Sequence, residues 1–242
     1  MVRFFVSEKD LEQDSIVLDP ENASHAKVLR LKSGDEVMLC DGNGREASCI
    51  LEISGQDYVL SRGELCPSDG EPSVLVSVYM ALPKADKLEH VIQKATELGA
   101  FEIVTFPTAR CVSKPDEKSL KKKLERWQKI AASASEQSGR GRIPRVIVLP
   151  SYTAALNRAA SSDLAILFYE NERSNTLQNT LKETRYASVS LVSGPEGGLE
   201  EEEVQKAMDA GLRVCTLGKR ILRCETAPLC ALSAVMYHSG EF

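Results

Sequence analysis

The rhythm of apolar and polar positions changes part-way along the chain. Up to about residue 66 the apolar residues come in short runs, "VRFFVS", "SIVLD", "DEVMLCD", "EASCILEIS" and "DYVLSRGEL", separated by Gly, Asp and Asn. Short runs bounded by turn residues predict strands, here a small β-barrel or curled sheet, with a helical turn or two in "ENASHAKVLRL". The stretch "CPSDGEPS", residues 66–73, has the Pro, Gly and Ser content of a linker. It divides an expected first domain, 1–70, from a second, 73–242.

Beyond the linker, apolar runs alternate with helical patterns. "SVLVSVYMAL" precedes "ADKLEHVIQKATELGA", in which Leu88, Val91, Ile92, Ala95 and Leu98 share one face and Gly99 is the stop. "FEIVTFPT" precedes "DEKSLKKKLERWQKIAASASEQSG", and "RVIVLP" precedes "TAALNRAASS". The last three pairs are "LAILFYE" with "TLQNTLKETR", "ASVSLVSG" with "LEEEEVQKAMDAG", and "LRVCTLG" with "ETAPLCALSAVMYHS". Strands alternating with helices predict an α/β fold with a mostly parallel sheet covered on both faces. Ligands of such sheets bind outside the carboxyl ends of the strands, which points to "FYENERS", "SGPEGGLEEEE" and "LGKRILRCET".

Composition narrows the picture. With 43% hydrophobic and 27% charged residues over 242 positions, the chain is an ordinary folded protein and not a disordered one. No apolar run reaches the roughly 18 residues of a spanning helix, and "MVRFFVSEKD" turns acidic too early for a secretory signal. A cytoplasmic protein without a membrane partner is expected. The seven cysteines include no C-x-x-C pair and the three histidines lie far apart, so reduced thiols are expected, with no metal site and no Ser/His/Asp triad. The formal net charge of -5 hides an asymmetry: residues 110–145 hold 11 Lys/Arg against 4 Asp/Glu, whereas residues 1–72 hold 7 against 15. A polyanion would meet the first of these segments.

The strand ends carry the candidate chemistry. "GPEGG" lets backbone approach a ligand closely and permits positive φ angles, but no Lys-Ser/Thr follows it and G-x-G-x-x-G is absent, which excludes a phosphate-binding P-loop. Glu200 to Glu203 read as a favourable first helical turn. "LGKRILRCETAP" places three basic residues within five positions between two buried-looking runs and opens the last helix with a glutamate. An anionic ligand would account for that arrangement.

Taken with "HAKVLRLKSGD", "KLEHVIQKATELG" and "ERWQKIAASASEQSGRGRIP", these motifs resemble the RsmE family of the SPOUT superfamily. Its members methylate N3 of a uridine in small-subunit (16S) ribosomal RNA, using S-adenosyl-L-methionine. The resemblance runs over nearly the whole chain. It implies a SPOUT-type parallel sheet with a C-terminal deep trefoil knot, although knots are very rare, a PUA-like or OB-like N-terminal barrel, and a homodimer that uses the apolar face of "PLCALSAVMY". By the same resemblance the cofactor would lie against Leu167 and Phe168, the turn Gly194, Pro195, Glu196, Gly197 and Gly198, and Leu217, Gly218, Ile221 and Leu222. Glu196 would hold a ribose hydroxyl or cap the turn.

Uracil N3 is a poor nucleophile until it loses its proton, so a base or donors to the uracil anion must be supplied. Arg220 and Arg223 are the candidate donors to the anion or to the target phosphate. Glu225 is the candidate to take the proton or to orient an arginine, or else a first-turn helix anion paired with Arg223. His25, Arg30, Arg110, Arg140 and Arg142 match the family's RNA-binding positions, whereas Lys121 to Lys123 read as a solvated face and Trp127 as core. The rival readings are a ribose 2'-O-methyltransferase of the same superfamily and a catalytically idle RNA-binding or ribosome-assembly factor.

Overall fold

The computed structural model describes residues 1–113 and 115–242. They form two compact units, one of residues 1–71 with 135–143, the other of 72–134 with 144–242.

The first unit contains β1 (Val2–Phe5), α1 (Glu8–Leu11), β2 (Ser15–Val17), α2 (Pro20–Val28), β3 (Glu36–Cys40), β4 (Arg45–Ser54) and β5 (Asp57–Pro67). Its sheet runs β1-β3-β4-β5-β2. The β1–β3 pair is parallel and the others are antiparallel, and β1 and β2, at the two ends of the order, do not pair, so the strands do not close into the barrel expected as one alternative. Alternate residues turn inward, and Phe4, Leu39, Leu51 and Leu60 form its core. α2 starts behind Asp19, whose carboxylate accepts from the Asn22 amide at 2.8 Å. It stops where Arg30 adopts a φ of 58°. The four-residue α1, capped by Ser7, is an element the apolar pattern did not announce.

Residues 135–143 belong to this unit through backbone pairing: the Gly44 amide donates to Gly141 O at 3.2 Å and the Ile143 amide to Gly42 O at 3.0 Å. A Cβ on Gly70 would stand 2.6 Å from Gly139 O, so only glycine permits this approach. Arg140 is 3% exposed and its Nη2 donates to Glu71 Oε2 at 2.7 Å. The same carboxylate accepts from the Arg142 amide at 2.9 Å. Removing one partner of a buried ion pair strands the other, so Arg140→Ala is expected to lower the unfolding free energy by about 3 kcal/mol. Urea titration would measure it.

The second unit contains β6 (Leu75–Ala81), α3 (Lys87–Glu97), β7 (Glu102–Phe106), α4 (Glu117–Ser138, whose last residues belong to the first unit), β8 (Arg145–Val148) and α5 (Tyr152–Ala159). It continues with β9 (Leu164–Phe168), α6 (Leu177–Glu183), β10 (Ser188–Ser193), α7 (Glu201–Asp209), β11 (Arg213–Cys215) and α8 (Thr226–His238). All its strand pairs are parallel, in the order β11-β9-β10-β6-β7-β8. Every residue of β7 and β9 is buried, as a sheet covered on both faces requires. One of them, Glu102, is charged, and Arg158 Nη2 donates to it at 2.8 Å. Trp127 is core, 3% exposed.

The chain lays β6, β7 and β8 outward in one direction, then crosses to β9 and returns to insert β10 between β9 and β6. That reversal puts the carboxyl ends of β9, β10 and β11 side by side. All seven cysteines are free thiols, four of them buried. Among the described residues no helix is long and apolar enough to cross a membrane.

Candidate functional site: a cleft at the ends of three strands

A cleft of about 460 Å³ opens where β9, β10 and β11 end, a size within the range of about 300–1,000 Å³ usual for small-molecule sites. Three loops build it. The loop after β9 is braced by Glu172, whose Oε1 accepts from the Ser174 amide at 2.6 Å and the Asn175 amide at 2.9 Å. These bonds, with the Ser174 hydroxyl first among them, bring its pKa down to about 2. The loop after β11 is tied back to it, since the Thr216 amide donates to Asn175 O at 2.9 Å.

Between them lies "GPEGG", a tight turn closed by the Gly198 amide on Pro195 O at 2.9 Å, with Gly198 at φ 69°. The sequence attributes these glycines to close approach by a ligand. The structure gives two of them another reason. A Cβ on Gly194 would meet Leu199 Cγ at 3.0 Å, and one on Gly197 would meet Arg110 Cβ at 3.2 Å, so they serve the protein's own packing. Gly218 is different: its φ is 109° and nothing lies within 4 Å of where its Cβ would stand. From residue 219 to 224 the backbone amides donate to no protein acceptor among the described residues. This loop therefore offers a ligand free N–H groups and open space.

The charged groups of the cleft are organised around Lys87, at the start of α3. Its Nζ lies 3.1 Å from Glu196 Oε1 and 3.4 Å from Glu225 Oε2. The Lys84 amide also donates to Glu196, at 3.0 Å, and the Cys224 thiol to Glu225 Oε2 at 3.2 Å. Burial alone would raise both carboxyl pKa values. The hydrogen bonds outweigh it and hold both below the ordinary range: for Glu196 from its own amide, Lys84 and Lys87, for Glu225 from its own amide, Cys224 and Lys87. Burial, then Glu225, pushes the Cys224 thiol up to about 12. Arg220 and Arg223 also line the cleft, and among the described residues neither has an ion-pair partner.

Residues 70–236 match the RNA methyltransferase domain and residues 18–61 the RNA methyltransferase PUA domain. Ribosomal RNA small subunit methyltransferase E of Bacillus subtilis is 38% identical over 251 aligned residues, covering 99% of this chain and 97% of its own. The Mycobacterium bovis protein of the same name is 34% identical over 90% of this chain and 85% of its own.

The chain belongs to the ribosomal RNA small subunit methyltransferase E family.

A solved member of the family, from Neisseria gonorrhoeae and bound to S-adenosyl methionine, superposes with a TM-score of 0.86 at 32% identity, covering 98% of this chain and 97% of that one. Against this family frame, the cleft gathers Phe168, Pro195, Glu196, Leu217, Ile221 and Leu222, with Gly194, Gly198 and Gly218. It does not gather Leu167, which is fully buried within β9, or Gly197, whose carbonyl accepts from Arg110 Nη1 at 3.0 Å. The pairing of Glu225 with Arg223 is not formed, and the Glu225 side chain does not cap α8.

Lys87 and Thr216 line the cleft without having been singled out from the sequence, and Tyr169, Glu170 and Arg173 were marked only as part of the strand end "FYENERS". For Lys87 a signal was available: it is the polar residue that opens an amphipathic helix right after a strand end. The Arg110 side chain is half exposed beside Glu200. In the first unit, His25 stands edge-on to Phe4 with ring centroids 5.8 Å apart, Arg30 is exposed and Arg142 is partly exposed. Arg140 would have to leave Glu71 to reach a phosphate.

Proposed function

We propose that the chain transfers a methyl group from S-adenosyl-L-methionine to N3 of a uridine in small-subunit ribosomal RNA. The observation that carries this reading is the loop 217–224, with free amides, an open Gly218 and two arginines without acidic partners, facing the cleft beside the glycine turn. The cleft fits the cofactor: Gly218 lines it with open space where a Cβ would stand, and the free amides suit a ligand rich in acceptors. Leu217, Gly218, Ile221 and Leu222 would hold it from one side, and Gly194, Pro195 and Glu196 from the other. When bound, S-adenosyl-L-methionine supplies a methyl carbon on a positively charged sulfur.

The protein's contribution is position and charge. Arg220 and Arg223 donate to the O2 and O4 oxygens over which the uracil anion spreads, which favours departure of the N3 proton to solvent. Glu225 holds Lys87. A carboxyl held below its ordinary pKa is poorly matched to general-base work near neutral pH. Phosphate contacts fall to Arg30 and Arg142 in the first unit, with His25 on the same unit, and to Arg110 in the second.

We also read the last strands and α8 as a trefoil knot and the active form as a homodimer. The insertion of β10 between β9 and β6 supports the knot, and the exposed Tyr237 in α8 and Phe242 just after it support an apolar contact there. The decisive experiment incubates the protein with S-adenosyl-L-methionine and small ribosomal subunits stripped of this modification, followed by nucleoside mass mapping. A 3-methyluridine is expected. A ribose-methylated nucleoside would establish the 2'-O reading instead, and the absence of any methylation with RNA binding retained would establish an idle factor.

A further inference from the structure

Lys87 is fixed by both its ends. Its backbone opens α3, whose Leu88, Val91, Ile92 and Ala95 are buried and which packs against α8, so the stem of the side chain leaves a rigid element. Its ammonium group has three N–H bonds and three acceptors in reach: Glu196 Oε1 at 3.1 Å, Glu225 Oε2 at 3.4 Å and Cys224 Sγ at 3.8 Å. Two of these belong to the segment 217–225 and its junction with α8. The third belongs to the glycine turn after β10. Among the described residues no other side-chain cation pairs with either carboxylate.

The loop before α3 is shaped for this contact. Ala85 sits at φ 52°, a conformation that residues with a Cβ adopt rarely and at a cost. That kink brings the Lys84 amide and the Lys87 ammonium to the same oxygen of Glu196. Two carboxylates from separate loops face one cleft, and like charges so placed push the loops apart unless a cation stands between them.

We propose that Lys87 is a positioning residue of the methyl-transfer site: its ammonium ties the glycine turn to the segment carrying Arg220 and Arg223 and so sets the width of the cleft and the aim of the arginines. The assignment rests on the functional reading above, and the test separates the two.

Lys87→Met keeps the length of the side chain and removes the charge. It is expected to weaken binding of S-adenosylhomocysteine, measured by calorimetry, by about 10-fold, and to lower the single-turnover methylation rate at saturating cofactor by roughly another 10-fold. Adding Glu225→Gln to Lys87→Met removes the repulsion, and product affinity should return to within about 3-fold of wild type, an outcome that simple loss of packing cannot give. Lys87→Arg, which keeps the charge, should retain most of the affinity and serves as the check on folding. Wild-type affinity and rate in Lys87→Met would overturn the assignment, as would a lowered melting temperature with both unchanged or a double variant no better than the single one. A wild-type protein that binds neither S-adenosyl-L-methionine nor its product would overturn the functional reading and this assignment with it.

Discussion

Arg223→Ala is expected to lower the single-turnover rate of methyl transfer by about 10²–10³-fold, the effect typical of removing one donor to a developing anion, with little change in cofactor affinity. The reason is geometric. Arg223 lines the cleft without an acidic partner among the described residues, so its guanidinium is not already neutralised and is available to charge that appears only as uracil loses its N3 proton. An interaction made chiefly in the transition state lowers kcat and kcat/KM together. Arg220→Ala should show the same pattern, and the double variant should be impaired by less than the product of the two effects if both serve one anion.

The pH profile supplies a second reading of the same variants. Glu225 is held below the ordinary carboxyl range by hydrogen bonds and by Lys87, so it is already ionised well below neutrality and does not titrate there. The wild-type rate should rise with pH because more uracil anion forms, and Glu225→Gln should keep that slope while losing rate through its contact with Lys87. Rapid-quench assays across neutral and alkaline pH would show it. A Glu225→Gln profile that flattens would make Glu225 the base after all.

The second large effect concerns Gly218. Its φ of 109° is one that branched residues scarcely adopt, and the space a Cβ would enter is empty. Gly218→Val is therefore expected to abolish measurable binding of S-adenosyl-L-methionine, a loss of about 100-fold or more, while urea titration shows the unit still folded. The contrasting variants are Gly194→Ala and Gly197→Ala. Their Cβ atoms would press on Leu199 and Arg110, so stability should fall first and affinity only as the turn distorts. Calorimetry that found Gly218→Val binding normally would mean that the cofactor does not use this loop.

Much of this molecule was legible in its residues because the signals are local. The short apolar runs of residues 1–66, bounded by turn residues, and the alternation of strands and helices beyond 73 follow from side-chain directions and turn chemistry that are set within a few residues. The strand-end rule then pointed to three loops, and "GPEGG" and "LGKRILR" marked two of them. α1 escaped because four residues carry no periodicity. What a Cβ on Gly194 or Gly197 would meet was not legible, because it depends on Leu199 and Arg110, which lie close in space for reasons that no turn pattern contains.

By itself, the sequence determined the order of strands and helices in the second unit, the parallel character of its sheet and the free thiols, and it directed attention to the strand ends. All of these rest on spacing and on residue type. Only the tertiary structure decided that β10 is inserted between β9 and β6, that 135–143 pairs with residues near Gly42, and that Arg140 is buried on Glu71. It likewise decided that Glu225 answers to Lys87 and not to Arg223. These are encounters between charges and backbone far apart in the chain. A lysine and a glutamate look alike in sequence wherever they stand, and it is the closeness of an opposite charge and the loss of water around it that turn one pair into the tie of a cleft and leave another arginine free for a substrate.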